Sequence, residues 1–299
     1  MDDQASGLRQ LISQHSDDLW TSESSVFKKQ ANKIVRSISV TSGKGGVGKT
    51  NVVGNLAVAF SKLGKHVLIL DGDLGLANID ILFGVRPVYN IKHVIHGEKK
   101  LSEVIINGPE NIKIIPGGSG LQGLSNLTHG QRLQLMNEFE QYDEQIDILL
   151  IDTGAGISTN ITYLNIAAEE RIVISTPEPT SITDAYALMK VMYRHHGEKQ
   201  FKLLVNMATH RKEAEAVYAN LNTNLMRFLK NIQLEYIGFI PKDEYISKSV
   251  KKQSPVLISY PKSISGRSFL TLAQFILEGS TRESEGTFRS FWTKLMSSL

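Results

Sequence analysis

SISVTSGKGGVGKTNVVGNLA, residues 37–57, reads as a strand, a glycine-rich loop and the start of a helix. Its centre, Gly43-Lys44-Gly45-Gly46-Val47-Gly48-Lys49-Thr50, satisfies the pattern G-x-x-x-x-G-K-[ST]. Glycines let successive backbone N–H groups curl around phosphate oxygens with no Cβ in the way. The helix behind the loop presents its positive N-terminus to the same anion. In this pattern Lys49 reaches the β- and γ-phosphates, and the Thr50 hydroxyl ligates Mg2+. Asn51 completes the expected nucleotide-binding stretch. A glycine turn that binds nothing has no need of a Lys-Thr pair between a strand and a helix.

The same strand-and-helix texture extends outward from this loop. From Val35 onward, SISVT, HVLILD, IKIIP, IDILLID, RIVIST, KLLVNM and YIGFIP alternate with helical patterns, among them residues 49–62 and 130–142. Short, nearly all-apolar runs suit strands buried on both faces. Alternation of this kind predicts an α/β fold of P-loop NTPase type: a doubly wound, mostly parallel sheet with helices on both faces. Ligands then bind beyond the carboxyl ends of the strands.

Carboxylates fall at two of those ends. HVLILDGD finishes on Asp71 and Asp73, and IDILLIDTGAG leads into Asp152. Acids so placed hold a metal-bound water or orient an attacking one. A turn or helix-capping pair is the plainer alternative, more for Asp71 than for Asp73. Asp152 fits the Walker B pattern, with Thr50 and Asp73 as its companions around Mg2+. The turn at Gly154 and Gly156 can move with the γ-phosphate.

Composition narrows the class. The 299 residues are 41% hydrophobic and 21% charged, ordinary for a globular protein with a full core. A net charge of +3 is too mild to indicate nucleic acid, so no direct nucleic-acid partner is expected. There is no cysteine, which excludes disulfides, cysteine-ligated clusters and thiol catalysis. No apolar run reaches the ~18 residues of a transmembrane helix, and the polar N-terminus is unlike a secretory signal. These features suit a cytoplasmic protein. Residues 10–33 are polar and read as a linker, so the expected division is 1–33, 34–280 and 281–299.

KGGVGKT resembles the deviant Walker A motif of the MinD/ParA ATPases. The resemblance implies ATP and Mg2+ as cofactors and an ATP-dependent homodimer. It implies that Lys44 crosses the dimer interface and stabilises charge on the partner's nucleotide, so that Lys44, Lys49, Asp73 and Asp152 form the catalytic set. A solvent-exposed lysine is the bland alternative for Lys44. By the same resemblance Asp73 positions the hydrolytic water with Asp71 in support, Asn206 meets the adenine edge, and Pro241 lies against the base. The family often has proline where this chain has Gly154. TPEPTSITDAY, residues 176–186, also looks like the family, with Pro179 and Ser181 setting up a helix.

The two ends lie outside this core. In EGTFRSFWTKLMSSL, residues Phe288, Phe291, Trp292, Leu295, Met296 and Leu299 recur at i, i+3, i+4, i+7, i+8 and i+11. They form one stripe of a helix, with Arg289 and Lys294 off it. Such a helix suits the membrane interface, and the resemblance implies a reversible membrane anchor. A helix docked on the ATPase body would bury the same stripe, and the two states are compatible. At the other end, Asp3, Gln4, Ala5, Leu8 and Arg9 match position by position the DQAxxLR motif of the FlhG (FleN, YlxH) branch of this family. That implies contact with the GTPase FlhF: Gln4 orienting water, Leu8 packing, Arg9 pairing with an anion. The output implied is control of flagellar number and placement, through FlhF and flagellar assembly or transcription factors, by a cytoplasmic protein that joins the membrane reversibly. A MinD-type cell-division regulator shares the core and tail but has no reason for DQASGLR. A ParA-type DNA-partitioning protein would call for a basic patch. An iron–sulfur carrier is removed by the lack of cysteine, whereas an ATP-dependent module that represses a transcription activator fits the same residues.

Overall fold

The computed structural model describes residues 34–73, 78–118, 127–142, 145–279 and 286–298. The expected alternation is present. Strands β1 (Arg36–Ser42), β2 (Val67–Gly72), β3 (Ile106–Asn107), β4 (Lys113–Ile115), β5 (Ile148–Ala155), β6 (Glu170–Ser175), β7 (Gln200–Ala208) and β8 (Gln233–Pro241) form one sheet. Its order is β3-β4-β2-β5-β1-β6-β7-β8, and every pairing is parallel except β3 with β4.

The helices are α1 (Lys49–Lys62), α2 (Ile79–Phe83), α3 (Ile91–Ile95), α4 (Leu101–Val104), α5 (His129–Gln141), α6 (Thr159–Ala167), α7 (Pro179–His196), α8 (Arg211–Phe228), α9 (Glu244–Lys251), α10 (Val256–Ser259), α11 (Ile264–Glu278) and α12 (Phe288–Ser298). Alternate strand residues point to opposite faces. On one face Ile38, Val40, Ile69 and Leu150 pack with α1, α10 and α11. On the other, Leu68, Leu70, Leu149 and Ile151 pack with α3–α6 and α12. Val173, Leu203 and Val205 pack with α7 and α8.

β1 departs from the all-apolar pattern for a reason visible in its contacts. Ser37, Ser39 and Thr41 are buried on one face of the strand. The Ser39 hydroxyl donates to Asn165 Oδ1 at 2.9 Å, and Asn165 Nδ2 donates to Thr41 Oγ1 at 3.2 Å. A buried polar group is tolerated when it is hydrogen-bonded. Here the pairing fixes α6 against the central strand. At the amino ends of the strands, Glu170 bridges Arg36 of β1 and Lys202 of β7, and Lys202 also reaches Glu235 of β8 at 3.3 Å. The carboxyl ends are left for the loops that carry chemistry.

Candidate nucleotide-binding site

The glycine loop joins β1 to α1, and local geometry explains its composition. Gly46 and Gly48 have φ of 80° and 88°, a region that side chains with a Cβ rarely adopt. At Gly43 a Cβ would sit 2.1 Å from the Asp184 carbonyl oxygen of α7, so only glycine lets that helix close over the loop. The Ser42 hydroxyl donates to the Lys44 carbonyl at 2.7 Å, and the Gly156 N–H donates to the Ser42 carbonyl at 2.9 Å, which ties the loop to the turn after β5. Gly48 caps α1 with no side-chain hydrogen bond, and no acidic residue stands in the first turn. The first N–H groups of the helix are thus open to an anion.

Lys49, Asp71, Asp73 and Asp152 lie close enough to act on one another's charge. Lys49 is buried; desolvation lowers its pKa, and the charges of Asp152 and Asp73 oppose that shift. Asp71 and Asp152 are directly opposite each other on β2 and β5. Burial raises both carboxyls, Asp71 to about 8 and Asp152 to about 7. The charge of Asp152 adds to the rise at Asp71, and the Thr50 hydroxyl opposes the rise at Asp152. The Asp73 N–H donates to Asp71 Oδ1 at 3.2 Å, and Asp73 Oδ1 lies against Gly154. Both Asp152 oxygens are enclosed and close no hydrogen bond of normal geometry, and Asn51 Oδ1 is in the same condition. A buried carboxylate that only the Thr50 hydroxyl approaches is costly, and a hydrated cation beside Thr50 would satisfy it. The residues therefore fit Mg2+ held by the Thr50 hydroxyl and, through water, by Asp152.

Two residues lie otherwise than a direct ligand contact would place them. Lys44 is about a third exposed, and its Nζ donates to Glu178 Oε2 and to Thr180 Oγ1, each at 2.9 Å. It stands in contact with the start of α7. Asn206, at the end of β7, is buried; its Nδ2 donates to the Val47 carbonyl at 2.8 Å and its Oδ1 accepts from the Met207 N–H. A Cβ on Gly48 would come within 2.5 Å of that Nδ2, so glycine and asparagine form a matched pair. Pro241 closes β8 opposite Ala208, and the Lys242 N–H donates to the Ala208 carbonyl. Sequence reasoning missed Glu178 and Thr180 as partners of the loop lysine. The signal available was their place at a strand-to-helix turn on the ligand side of the sheet. Ser181 does set up α7, with its hydroxyl accepting from the Thr176 N–H at 2.9 Å.

The terminal stripe sits on the sheet face opposite α1. Phe288, Phe291, Trp292, Leu295 and Met296 are all buried. Trp292 stacks on Phe139 of α5, with ring centroids 3.6 Å apart. Arg132 donates to the Met296 carbonyl, and Arg289 pairs with Glu140 at 2.9 Å. α12 is thus docked on the body by the side chains expected to meet lipid. Asp3, Gln4, Leu8, Arg9 and Leu299 lie outside the described residues.

A family model described as ParA, NUBPL iron-transfer P-loop NTPase, matches residues 33–277. The chain is 42% identical over 240 residues to the antiactivator FleN of Pseudomonas aeruginosa, covering 80% of this chain and 85% of that protein. It is 32% identical over 277 residues to the flagellum site-determining protein YlxH of Helicobacter pylori, covering 91% and 92%. The septum site-determining protein MinD of Pyrococcus horikoshii, solved with Mg-ADP, superposes with a TM-score of 0.65 at 26% identity, over 83% of this chain and 99% of that one. Fold, loop and relatives agree: the chain belongs to the ParA family of P-loop NTPases, on the branch that holds FleN and YlxH.

Proposed function

We propose that the protein is an ATP-hydrolysing switch that controls flagellar number and placement, dimerising on ATP and acting through its two ends. The observation that carries the reading is the arrangement around the loop. An uncapped helix N-terminus and Lys49 face a buried, unsatisfied Asp152, with Lys44 held at the rim. The loop N–H groups and Lys49 bind and orient the phosphates. Thr50 and Asp152 would hold Mg2+, which would supply neutralisation of phosphate charge. Asp73, supported by Asp71, orients the attacking water. Lys44 leaves Glu178 and reaches the nucleotide of a second subunit, which couples ATP binding to dimerisation. Asn206 and Pro241 border the base.

The flagellar output rests on similarity to FleN and YlxH and on DQASGLR at residues 3–9. In that segment Gln4 acts on the nucleotide water of an FlhF-type GTPase, Leu8 packs and Arg9 pairs with an anion. The docked α12 is the resting state of a membrane anchor, and its stripe meets lipid only after release. Turnover of ATP with and without anionic vesicles tests the enzyme, and Lys44→Ala is expected to abolish the ATP-dependent dimer in light scattering. Tight ATP binding with no turnover in either condition would instead favour a binding module that represses a transcription activator. GTP turnover by FlhF with added peptide 1–20 tests the branch. A peptide that leaves FlhF unchanged overturns the proposed contact.

A further inference from the structure

The sheet ends on β8, three strands away from the β1 that feeds the nucleotide loop. A groove of about 540 Å3 follows this free edge, between the start of α8 and one face of α11. None of its residues belongs to the nucleotide site. Its α11 wall is a stripe at helical spacing, from Ile264 through Arg267, Thr271 and Leu272 to Phe275. Ile264 and Phe275 are large apolar side chains left 62% and 43% exposed. The two flank a concave floor that includes Leu272, and exposed apolar side chains gathered around one groove suit a contact surface.

Polar groups in the groove say what kind of contact. The Tyr236 hydroxyl is enclosed and makes no hydrogen bond among the described residues. Burial and the nearby Glu215 charge hold its pKa up, so it is an O–H donor without an acceptor. Arg211 stands at the α8 end and shares its charge with Glu215 at 2.7 Å. Arg267 is exposed and has no ion pair among the described residues. Arg267 therefore calls for an anionic acceptor, and the Arg211 pair with Glu215 is exposed and readily exchanged; a carboxylate matches a guanidinium in two-pronged geometry. Simple strand addition is disfavoured. The register of β8 on β7 shifts beside Gly238, whose φ is 126°, and such irregularities protect an edge from pairing. Recognition falls to the side chains.

We propose that this groove docks a short acidic amphipathic segment of a partner protein. Its apolar side chains lie on Ile264 and Phe275, over a floor that includes Leu272, and its carboxylates meet Arg267 and Arg211. The test uses the full-length protein and fluorescence anisotropy with three labelled peptides: acidic and apolar (DDLFEDLL), basic and apolar (KKLFKKLL), and acidic without apolar residues (DDSSEDSS). The first is expected to bind at least about tenfold more tightly than the other two, and less tightly as salt rises. Arg267→Glu is expected to weaken it about tenfold, Ile264→Ser about threefold or more, with ATP turnover unchanged in both. Failure of the acidic amphipathic peptide to bind overturns the proposal. So does equal binding of the basic peptide, or binding by Arg267→Glu as tight as by the unaltered protein.

Discussion

Two hydrogen bonds occupy Asn206 before any nucleotide arrives. Its amide donates to Val47 and accepts from Met207, so it braces the phosphate loop. Asn206→Ala leaves the Val47 carbonyl without that donor, a loss of about 1–3 kcal/mol at a buried site. The nucleotide-free protein is expected to melt several degrees lower, since ~1 kcal/mol moves a domain of this size by roughly 2–4 °C. An unchanged melting temperature would leave Asn206 with a role at the base alone. The buried acids give a pH dependence with a definite sign. Both carboxyls start from 3.8 in the unfolded chain and rise to about 8 and about 7 in the folded one. Between these limits the folded state binds more protons, so stability is greatest at the acid side and falls as pH rises. In EDTA and without nucleotide, the melting temperature is expected to fall from about pH 5 to pH 8, most steeply below about pH 7. Asp71→Asn is expected to flatten that slope and to raise the value at about pH 8. The same slope in the variant would assign the dependence to other groups.

At the scale of the element, α12 shows how much an apolar stripe leaves open. A stripe at helical spacing states that one face must be covered, and it says nothing about what covers it. The docked partner, Phe139, lies more than a hundred residues upstream in a helix whose apolar pattern is weak, so the packing of α5 on α12 was not legible in the sequence. Burial here is substantial: Trp292→Ala is expected to cost about 3–5 kcal/mol, read from denaturant unfolding, which the loss of an exposed anchor residue would not do. The more telling change is on the body. Phe139→Ala removes the surface under Trp292 and leaves every tail residue intact. It is expected to lower thermal stability and to raise the fraction of protein that sediments with anionic vesicles. A lower stability with no gain in vesicle binding would mean that the tail is part of the core and not a releasable anchor.

Across the whole molecule, the legible part was the part with a short-range cause. The loop, the strand-end acids and the parallel sheet follow from glycine content, apolar runs and their alternation, and they stand where those rules put them. The edge groove and the Lys44 contact depend on which loops the fold brings together, and no local pattern encodes that. Lys44 shows why it matters. Its bond to Glu178 joins two exposed groups, so in water it is weak and easily exchanged. A lysine that must leave its own subunit to serve another needs a hold of this strength: enough to park it, too little to compete with phosphate charge. Glu178→Gln keeps the hydrogen-bond acceptor and removes the charge. If Lys44 acts across a dimer, that change is expected to tighten ATP-dependent dimerisation about two- to fivefold in sedimentation equilibrium. Lys44→Ala, which has nothing to release, should give no dimer with either residue at position 178. Dimerisation that Glu178→Gln leaves unchanged would show that the pair does not restrain the lysine, and a dimer in Lys44→Ala would remove the lysine from the interface altogether.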